Sequence, residues 1–186
     1  FALADRRSER AEAAGAANTL IFSDEGTLAD NTDGAGLVRD LVFLGRPLEG
    51  RRVLLLGAGG AARGALLPLI AEKPSRLVIA NRTASRAAAL IAGREAAVTE
   101  LAACGFDELS GSVFDVVINA TSSSLAGEAP PLPQGLYAPD SLAYDMMYGR
   151  DETAFLKAAR GLGASALSDG LGMLVEQAAE SFFLWR

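Results

Sequence analysis

The stretch VLLLGAGGAARGALLPL, residues 53–69, restricts the fold of this chain more than any other feature. An apolar run typical of a buried strand ends at Gly57, Gly59 and Ala62 follow it, and a helical pattern then begins. In a G-x-G-x-x-G/A turn the first glycine permits a tight turn, the second lets a pyrophosphate approach the backbone, and the small third residue lets the helix pack close to the strand. Glycines often do no more than turn a chain, but between a strand and a helix this spacing predicts a dinucleotide site at the helix N-terminus.

Apolar runs alternate with helical patterns from this turn to the C-terminus. Such alternation produces βαβ units with right-handed crossovers and therefore a parallel sheet. Hydrophobic residues make up 50% of the chain and aromatic residues only 6%, so the core has to consist of Ala, Leu, Val and Ile, as is usual in parallel sheets covered by helices. We expect an α/β fold, a Rossmann-like doubly wound parallel sheet. The segment 97–112, which contains Cys104, is weakly patterned and is predicted to be a loop that includes one short strand.

The N-terminal quarter of the chain follows a different pattern. Residues 1–15 are predicted to be helical, and two short strand-like runs then flank SDEG, where Asp24 and Gly26 indicate a hairpin. A second helix is expected over 34–44, because apolar residues recur there on one face, and Gly45 should end it. We expect the following RPLEGRR to link this region to the βαβ units.

Charge, cysteine content and histidine content exclude several classes of function. A net charge of −6 and a pI near 4.7 argue against binding to nucleic acid or to an anionic membrane. The chain has one cysteine, Cys104, and no histidine, which excludes an internal disulfide, a cysteine-rich zinc site and a Ser-His-Asp triad. No apolar run is long enough to span a membrane and no secretory leader is evident, so we expect a cytoplasmic protein.

The strand after the glycine turn ends in a basic and polar motif, NRTASR. An NAD site usually has an acidic residue here for the ribose 2′-hydroxyl, whereas this chain has Asn81, Arg82, Thr83 and Arg86. Arg82 can pair with a 2′-phosphate, Arg86 lies one helical turn further on, and Thr83 can cap the helix that follows. The alternative is a solvated basic helix start, which the helix dipole disfavours. The sequence therefore predicts NADP as the cofactor.

Polar residues also gather at two other places. NATSSS ends a later apolar run, where the carboxyl ends of parallel strands border the ligand crevice, so Thr121 and Ser122 are candidates for contact with the ribose or the nicotinamide. A plain polar loop is the alternative. DNTD, residues 30–33, stands directly before the helix expected over 34–44. Helix capping needs only one of these four residues, so the cluster predicts a further role.

Seven motifs in the expected order resemble the shikimate dehydrogenase family, namely GAANTL, DNTDG, GAGGAARG, NRTASR, INATSS, YDMMY and DGLGMLVEQAA. The resemblance runs through essentially the whole chain. It implies reversible NADPH-dependent reduction of 3-dehydroshikimate to shikimate, a step of aromatic amino-acid biosynthesis. In that family the aspartate matching Asp33 lies in the active site beside a lysine, and the asparagine matching Asn18 holds a hydroxyl of the substrate.

The resemblance also implies which residues contact the two ligands. Tyr148 and Gln177 are expected to join the two residues above around shikimate, and Asp33 is the expected catalytic residue. From the residues alone, Tyr148 is equally well a strand-end aromatic and Gln177 a polar residue on a helix flank. Glu9 is placed at the edge of the cofactor, although a charge in RRSER is usually only solvated. With Thr121 included, the predicted cofactor contacts are Glu9, Gly57, Ala58, Gly59, Gly60, Ala61, Asn81, Arg82, Thr83, Arg86, Thr121, Met146 and Gly170.

The resemblance further implies three parts of the chain. Residues 1–45 would be a remnant of an N-terminal α/β substrate-binding lobe with its connecting helix, 46–168 an NADP-binding domain, and 169–186 a C-terminal helix that returns to the substrate lobe. The family has upstream serines that grip the substrate carboxylate and an upstream catalytic lysine, whereas the lysines of this chain, Lys73 and Lys157, match no motif. Because the chain opens without Met inside a helical pattern, we expect the N-terminal part of a longer protein to precede it.

Two alternatives are kept open. A quinate/shikimate dehydrogenase of broader specificity carries the same motifs. A noncatalytic NADP-binding module is the other, because a nucleotide site without its proton donor binds its ligand but cannot turn over a substrate. The predicted partners are small molecules, with no nucleic acid, membrane or metal ion, and the protein is expected to be a monomer or a homodimer.

Overall fold

The computed structural model describes residues 1–94, 96–123 and 127–186, which form two β-sheets and their covering helices. The strands are β1 (Arg6–Arg7), β2 (Thr19–Ser23), β3 (Gly26–Asp30), β4 (Arg52–Leu56), β5 (Arg76–Asn81), β6 (Glu100–Gly105), β7 (Phe114–Asn119), β8 (Tyr137–Asp145) and β9 (Ala166–Ser168). The helices are α1 (Glu9–Ala14), α2 (Asp33–Phe43), α3 (Gly60–Ala71), α4 (Ala84–Ile91), α5 (Ala154–Gly161) and α6 (Leu171–Leu184), with a 3₁₀ helix at Phe106–Leu109. None of the helices within the described ranges is long and apolar enough to cross a membrane.

The larger sheet is entirely parallel, with the strand order β6-β5-β4-β7-β8-β9. The chain moves outward from β4 to β6 in one direction and from β7 to β9 in the other. The order thus reverses between β4 and β7, which is where doubly wound sheets bind ligands. The register places Leu56, Ala80, Asn119 and Asp145 side by side at the carboxyl edge. The prediction of an α/β, Rossmann-like sheet is confirmed.

The central strands of this sheet are buried on both faces. Val53 and Leu55 of β4 pack into a core shared with α2, α3 and α6, whereas Leu54 and Leu56 pack on the opposite face with α5. All four side chains are fully buried. A strand covered on both sides shows a continuous apolar run in its sequence, which is the pattern that predicted this strand.

The residues before α2 form a small second sheet of order β1-β3-β2. The predicted hairpin is confirmed, because β2 and β3 pair antiparallel and Gly26 has a φ of +104° in the turn. The helix predicted over 1–15 is wrong in its first half, since β1 pairs in parallel with β3 and α1 begins only after Ser8. The Ser8 hydroxyl accepts a hydrogen bond from the N–H of Ala11 at 3.1 Å, so an N-cap residue determines where this helix starts.

The segment 97–112 is more regular than the predicted loop. It contains β6, which pairs with β5 along all six of its residues, and the 3₁₀ helix that follows. As the edge strand of the sheet, β6 is only partly buried, and its apolar run, LAAC, consists mostly of small side chains and is a weaker signal than the runs of the central strands.

The helix expected over 34–44 is α2, and two glycines let other helices approach it closely. A Cβ at Gly34 would lie 2.6 Å from the carbonyl oxygen of Gly64 in α3. A Cβ at Gly36 would lie 2.7 Å from the backbone nitrogen of Gln177 in α6. Side-chain carbons do not come this close to backbone atoms, so both contacts require glycine. As a result α2 packs directly on α3 and on α6.

A chain of ion pairs ties the N-terminal elements to α6. Asp30 accepts hydrogen bonds from the Ser8 hydroxyl at 2.5 Å and from Arg10 at 2.5 and 3.0 Å. Arg10 also donates to Glu180 at 2.8 Å, and Arg39 donates to the same carboxylate at 2.5 Å. Burial alone would raise the pKa of Asp30, but the hydrogen bonds from Arg10, Ser8 and a backbone N–H outweigh it, so this pKa lies below its usual value.

Asp30→Asn is expected to lower the free energy of unfolding at pH 7 by about 1–3 kcal/mol, because the charged partner of Arg10 is lost. A carboxyl whose pKa is lowered by folding stabilises the protein above its ordinary pKa, and this stabilisation disappears as the pH falls through the folded-state pKa. The difference between the variant and the unmodified chain should therefore shrink below about pH 4. Urea unfolding at pH 7 and pH 3 measures it, with Asp24→Asn in the exposed hairpin turn as the control. A difference that is equal at both pH values would contradict the ion-pair explanation.

Candidate active site

The glycine turn lies at the reversal point, between the end of β4 and the start of α3. Gly57 has a φ of +108°, and a Cβ there would lie 3.0 Å from a backbone carbonyl oxygen of the loop after β7. Cβ atoms at Gly59 and Gly60 would meet nothing within 4 Å, so open space faces the first turn of α3. Ala58 and Ala61 belong to the same turn, and α3, which is described in full, has neither an acidic side chain in its first turn nor a side-chain cap. Its N–H groups and the positive end of its dipole fit the pyrophosphate of a dinucleotide.

The loop after β5 adjoins this turn directly, since the N–H of Gly57 donates to a carbonyl oxygen of β5 at 2.7 Å. Arg82 and Arg86 in this loop and helix start are exposed, and within the described residues neither of them forms an ion pair. Arg86 lines an open groove of about 500 Å³ together with Ala58 and Arg63. Guanidinium groups that lack a carboxylate partner and border a groove beside the glycine turn fit the 2′-phosphate of NADP.

Asn81 and Thr83 shape the backbone of this loop. Thr83 stands at the N-cap position of α4, but its side chain makes no capping hydrogen bond, so the predicted cap is wrong. The side-chain nitrogen Nδ2 of Asn81 instead donates to the carbonyl oxygen of Thr83 at 3.0 Å. The first N–H groups of α4 therefore receive no hydrogen bond from the Thr83 side chain.

Polar side chains join the carboxyl ends of β7 and β8. Nδ2 of Asn119 donates to Oδ1 of Asp145 at 3.0 Å, and both side chains are buried. The Thr121 hydroxyl donates to Oδ1 of Asn119 at 2.7 Å, so it is engaged within its own loop, and Thr153 donates to Oδ2 of Asp145 at 2.6 Å. Asn119 and Asp145 were not predicted from the sequence as site residues. The available signal was a polar residue that ends each apolar run.

Met146 and Gly170 meet beside these strand ends. The N–H of Gly170 donates to the carbonyl oxygen of Met147 at 3.1 Å, and a Cβ at Gly170 would collide with the carbonyl oxygen of Met146. Met146 itself is half-buried. The structure therefore brings together the two residues predicted on the nicotinamide side.

Three of the predicted substrate residues meet although they lie far apart in the chain. Nδ2 of Asn18 donates to Oδ1 of Asp33 at 2.8 Å and to Oε1 of Gln177 at 3.1 Å. Thr32 donates to Oδ1 of Asn18 through its N–H at 3.0 Å and through its hydroxyl at 3.1 Å. We refer to Asn18, Thr32, Asp33 and Gln177 as the polar corner. Its amide groups can donate and accept hydrogen bonds and its carboxylate can accept them, which suits a ligand that carries several hydroxyl groups.

A layer of hydroxyl groups lies beneath the polar corner and was not predicted. The Ser181 hydroxyl lies 2.6 Å from that of Thr19 and 3.1 Å from that of Thr32, and all three residues are buried. The Thr32 hydroxyl also contacts Oε1 of Gln177 at 3.2 Å. Ser181 lies four residues after Gln177 on the same face of α6, and this spacing is the one sequence signal that pointed to it. The layer connects Gln177 to the strand and helix that carry the rest of the corner.

Tyr148 and Glu9 do not belong to the hydrogen-bond network of the polar corner in the described part of the chain. Tyr148 is 49% exposed and lines a second groove of about 410 Å³ together with Met147 and Lys157. Glu9 is the exposed first residue of α1. In the part of the chain that the structure describes, no hydrogen bond joins either residue to the corner, and neither Lys157 nor Lys73 forms an ion pair with Asp33.

Together, a glycine turn at the reversal point of a parallel sheet and a polar corner built from the N-terminal elements and α6 define the class of dinucleotide-dependent Rossmann-fold proteins. Comparison with known sequences identifies one family within this class. The model of the family described as Shikimate / quinate 5-dehydrogenase matches residues 43–126, and that of the Shikimate 5'-dehydrogenase C-terminal domain matches 170–186. The shikimate dehydrogenase (NADP(+)) of Aromatoleum aromaticum is 63% identical over 189 residues, which cover 100% of this chain and 68% of that protein. The chain therefore belongs to the shikimate dehydrogenase family, as its motifs predicted.

Other relatives give the same result. The shikimate dehydrogenase (NADP(+)) of Dechloromonas aromatica is 59% identical over 187 residues, again covering 100% of this chain and 68% of the relative. Among solved structures, an Ael1 enzyme from Pseudomonas putida superposes with a TM-score of 0.91 at 53% identity, over 100% of this chain and 68% of that one. A shikimate 5-dehydrogenase from Thermus thermophilus, in complex with NADP(H) and shikimate, superposes with a TM-score of 0.80 at 31% identity, over 99% of this chain and 67% of that one.

Proposed function

We propose that this chain is the nucleotide-binding part and one side of the substrate site of an enzyme that reversibly reduces 3-dehydroshikimate to shikimate with NADPH. The observation that carries the proposal is the polar corner, in which Asn18 holds Asp33 and Gln177 within hydrogen-bond distance of itself. Family membership and the NADP(+) in the names of the relatives support it. We further propose that 1–45 and 169–186 form the substrate side and 46–168 the NADP side, since the corner draws its residues from the first two ranges.

The residues of the polar corner would orient the substrate and assist the transfer of a proton to its carbonyl oxygen. Asn18 and Gln177 offer amide groups to substrate hydroxyls, and the resemblance assigns Tyr148 to the same ring of contacts. Asp33 accepts one hydrogen bond through Oδ1 and can pair through Oδ2 with the lysine that the family supplies from upstream sequence. A carboxylate beside that ammonium holds it in place as proton donor to the carbonyl oxygen. NADPH, when bound, supplies the hydride.

The cofactor contacts are proposed on the geometry of the glycine turn and the loop after β5. Gly57 to Ala61 would surround the pyrophosphate at the N-terminus of α3, and Asn81 to Arg86 the 2′-phosphate. Met146 and Gly170 would border the nicotinamide, with Thr121 holding the loop after β7. Glu9 is proposed only at the outer edge of the cofactor, because among the described residues no side-chain hydrogen bond or ion pair joins it to the glycine turn.

The protein is expected to prefer NADP to NAD, and Arg82→Ala is expected to remove most of that preference. A charge-assisted hydrogen bond contributes about 1.5–3 kcal/mol, so the variant should lose about 10-fold to 100-fold in affinity for NADP and little for NAD. Dissociation constants for both nucleotides, measured by fluorescence titration, test this. Arg51→Ala is the matched control, since it removes the same charge next to the amino end of β4. Equal dissociation constants for NADP and NAD in the unmodified protein would refute the proposed role of the arginines.

Quinate is a second candidate substrate, because the matching family model covers both shikimate and quinate dehydrogenases. The amides of the polar corner recognise hydroxyl groups, which both compounds carry. Comparing kcat/KM for shikimate and quinate in the full-length enzyme separates a narrow from a broad specificity.

A further inference from the structure

Two buried polar side chains outside the polar corner join α2 to the large sheet. The Tyr144 hydroxyl donates to Oδ2 of Asp40 at 2.6 Å, and the two residues are 0% and 5% exposed. Burial, together with the hydrogen bond to Asp40, raises the pKa of Tyr144 above its usual value, so the phenol keeps its proton and remains a donor. Burying a carboxylate without a hydrogen-bond partner costs free energy, so breaking the bond from Tyr144 is unfavourable.

The backbone of α6 closes over the same carboxylate. A Cβ at Gly172, the second residue of α6, would collide with both carboxylate oxygens of Asp40. Together with the close approach of Gly36 to Gln177, this makes α2 and α6 a rigidly packed pair. The Asp40–Tyr144 bond then connects that pair to β8.

The two ends of this connection lead to the two sides of the proposed site. Asp40 lies seven residues after Asp33 in α2, a distance of about 10 Å along the helix axis. Tyr144 lies two residues before Met146, about 7 Å along an extended chain. The bond is therefore a short mechanical link between the residues proposed for the substrate and those proposed for the nicotinamide.

We infer that Asp40 and Tyr144 are a positioning pair, which fixes the polar corner relative to the carboxyl end of β8 and so sets the geometry for hydride transfer. The inference rests on the proposed function. Neither residue is among those proposed to contact the substrate or the cofactor. They act through Asp33, Gln177 and Met146, because transfer between two bound molecules requires reacting atoms about 3–3.5 Å apart, and a misplacement of about 1 Å can cost about 100-fold in rate.

The chain offers a matched pair of variants for the test. Tyr144→Phe removes only the hydroxyl that binds Asp40. Tyr137→Phe removes a hydroxyl from another buried tyrosine of the same strand, and that hydroxyl makes no hydrogen bond within the described residues. Asp40→Asn keeps an oxygen that accepts from Tyr144, whereas Asp40→Leu does not.

In the full-length enzyme, Tyr144→Phe is expected to lower kcat about 10-fold, while KM for shikimate and the dissociation constant for NADP change less than about twofold. The primary deuterium isotope effect on kcat should increase, because hydride transfer becomes slower. Tyr137→Phe should leave all four quantities unchanged, and Asp40→Asn should retain more activity than Asp40→Leu. If Tyr144→Phe fails to fold, the two Asp40 variants make the same comparison.

Amide hydrogen exchange of α2 and α6 provides a measurement that does not depend on turnover. Exchange should be faster with Tyr144→Phe than with Tyr137→Phe. Unchanged exchange would show that the bond does not link the helices to β8, and faster exchange with unchanged kcat would show that the link does not position the reactants. If the unmodified enzyme does not oxidise shikimate with NADP, the proposed function fails instead, and the exchange result still decides whether the link exists.

Discussion

Asp33→Asn in the full-length enzyme is expected to lower kcat for shikimate oxidation by about 100-fold or more, the scale of losing acid-base positioning. The amide of asparagine can still accept the hydrogen bond that Asn18 donates at 2.8 Å, so the polar corner should keep its shape. It cannot pair with an ammonium ion as a carboxylate does. The loss should therefore appear in kcat much more than in KM for shikimate.

The control for this variant is its stability. Asp33 is the first residue of α2, where a negative charge contributes about 0.3–1 kcal/mol through the helix dipole, so the melting temperature should fall only slightly. Asp24→Asn, in the exposed hairpin turn, should leave kcat unchanged. Normal turnover by the Asp33 variant would mean that Asp33 only starts a helix.

Residues 1–186 alone are expected to bind NADP but to oxidise shikimate at least about 1,000-fold more slowly than a full-length member of the family. The glycine turn and Arg82 lie on adjacent strands of one sheet, which the structure shows complete around them. The polar corner is proposed to form only one side of the substrate site. According to the resemblance, the grip on the substrate carboxylate and the catalytic lysine come from upstream sequence, and each of these contributes several kcal/mol to lowering the barrier.

NADP binding and shikimate oxidation by residues 1–186 can be measured separately. NADP binding can be followed by isothermal titration calorimetry, and turnover through the absorbance of NADPH in the presence of shikimate. Joining the upstream segment of a relative to the chain should restore the rate. Full turnover by residues 1–186 would place the proton donor within this chain, and failure to bind NADP would show that the nucleotide half cannot act alone.

Features set by local sequence could be predicted, and features set by contacts between distant residues could not. Gly57 and the helix after it form one continuous motif, so both the turn and its place at the sheet edge were predicted. The Asn18–Gln177 contact joins residues 159 positions apart, and only the family resemblance pointed to it. Ser181 and Asn119 are ordinary polar residues in sequence, and their roles come from the elements that pack around them. The edge strand β6 was underestimated because backbone pairing rather than an apolar run defines it.

The long sequence separation between the residues of the polar corner also determines when the corner can form during synthesis. A ribosome adds about 5–20 residues per second, so Gln177 is added on the order of ten seconds after Asn18, which lies 159 positions earlier. The strands around the glycine turn need only neighbouring crossovers and can pair before α6 has been synthesised. Contacts that close long loops form late, since the chain must first lose the entropy of the intervening segment. During synthesis, the proposed nucleotide surface around the glycine turn therefore forms before the proposed substrate surface at the polar corner.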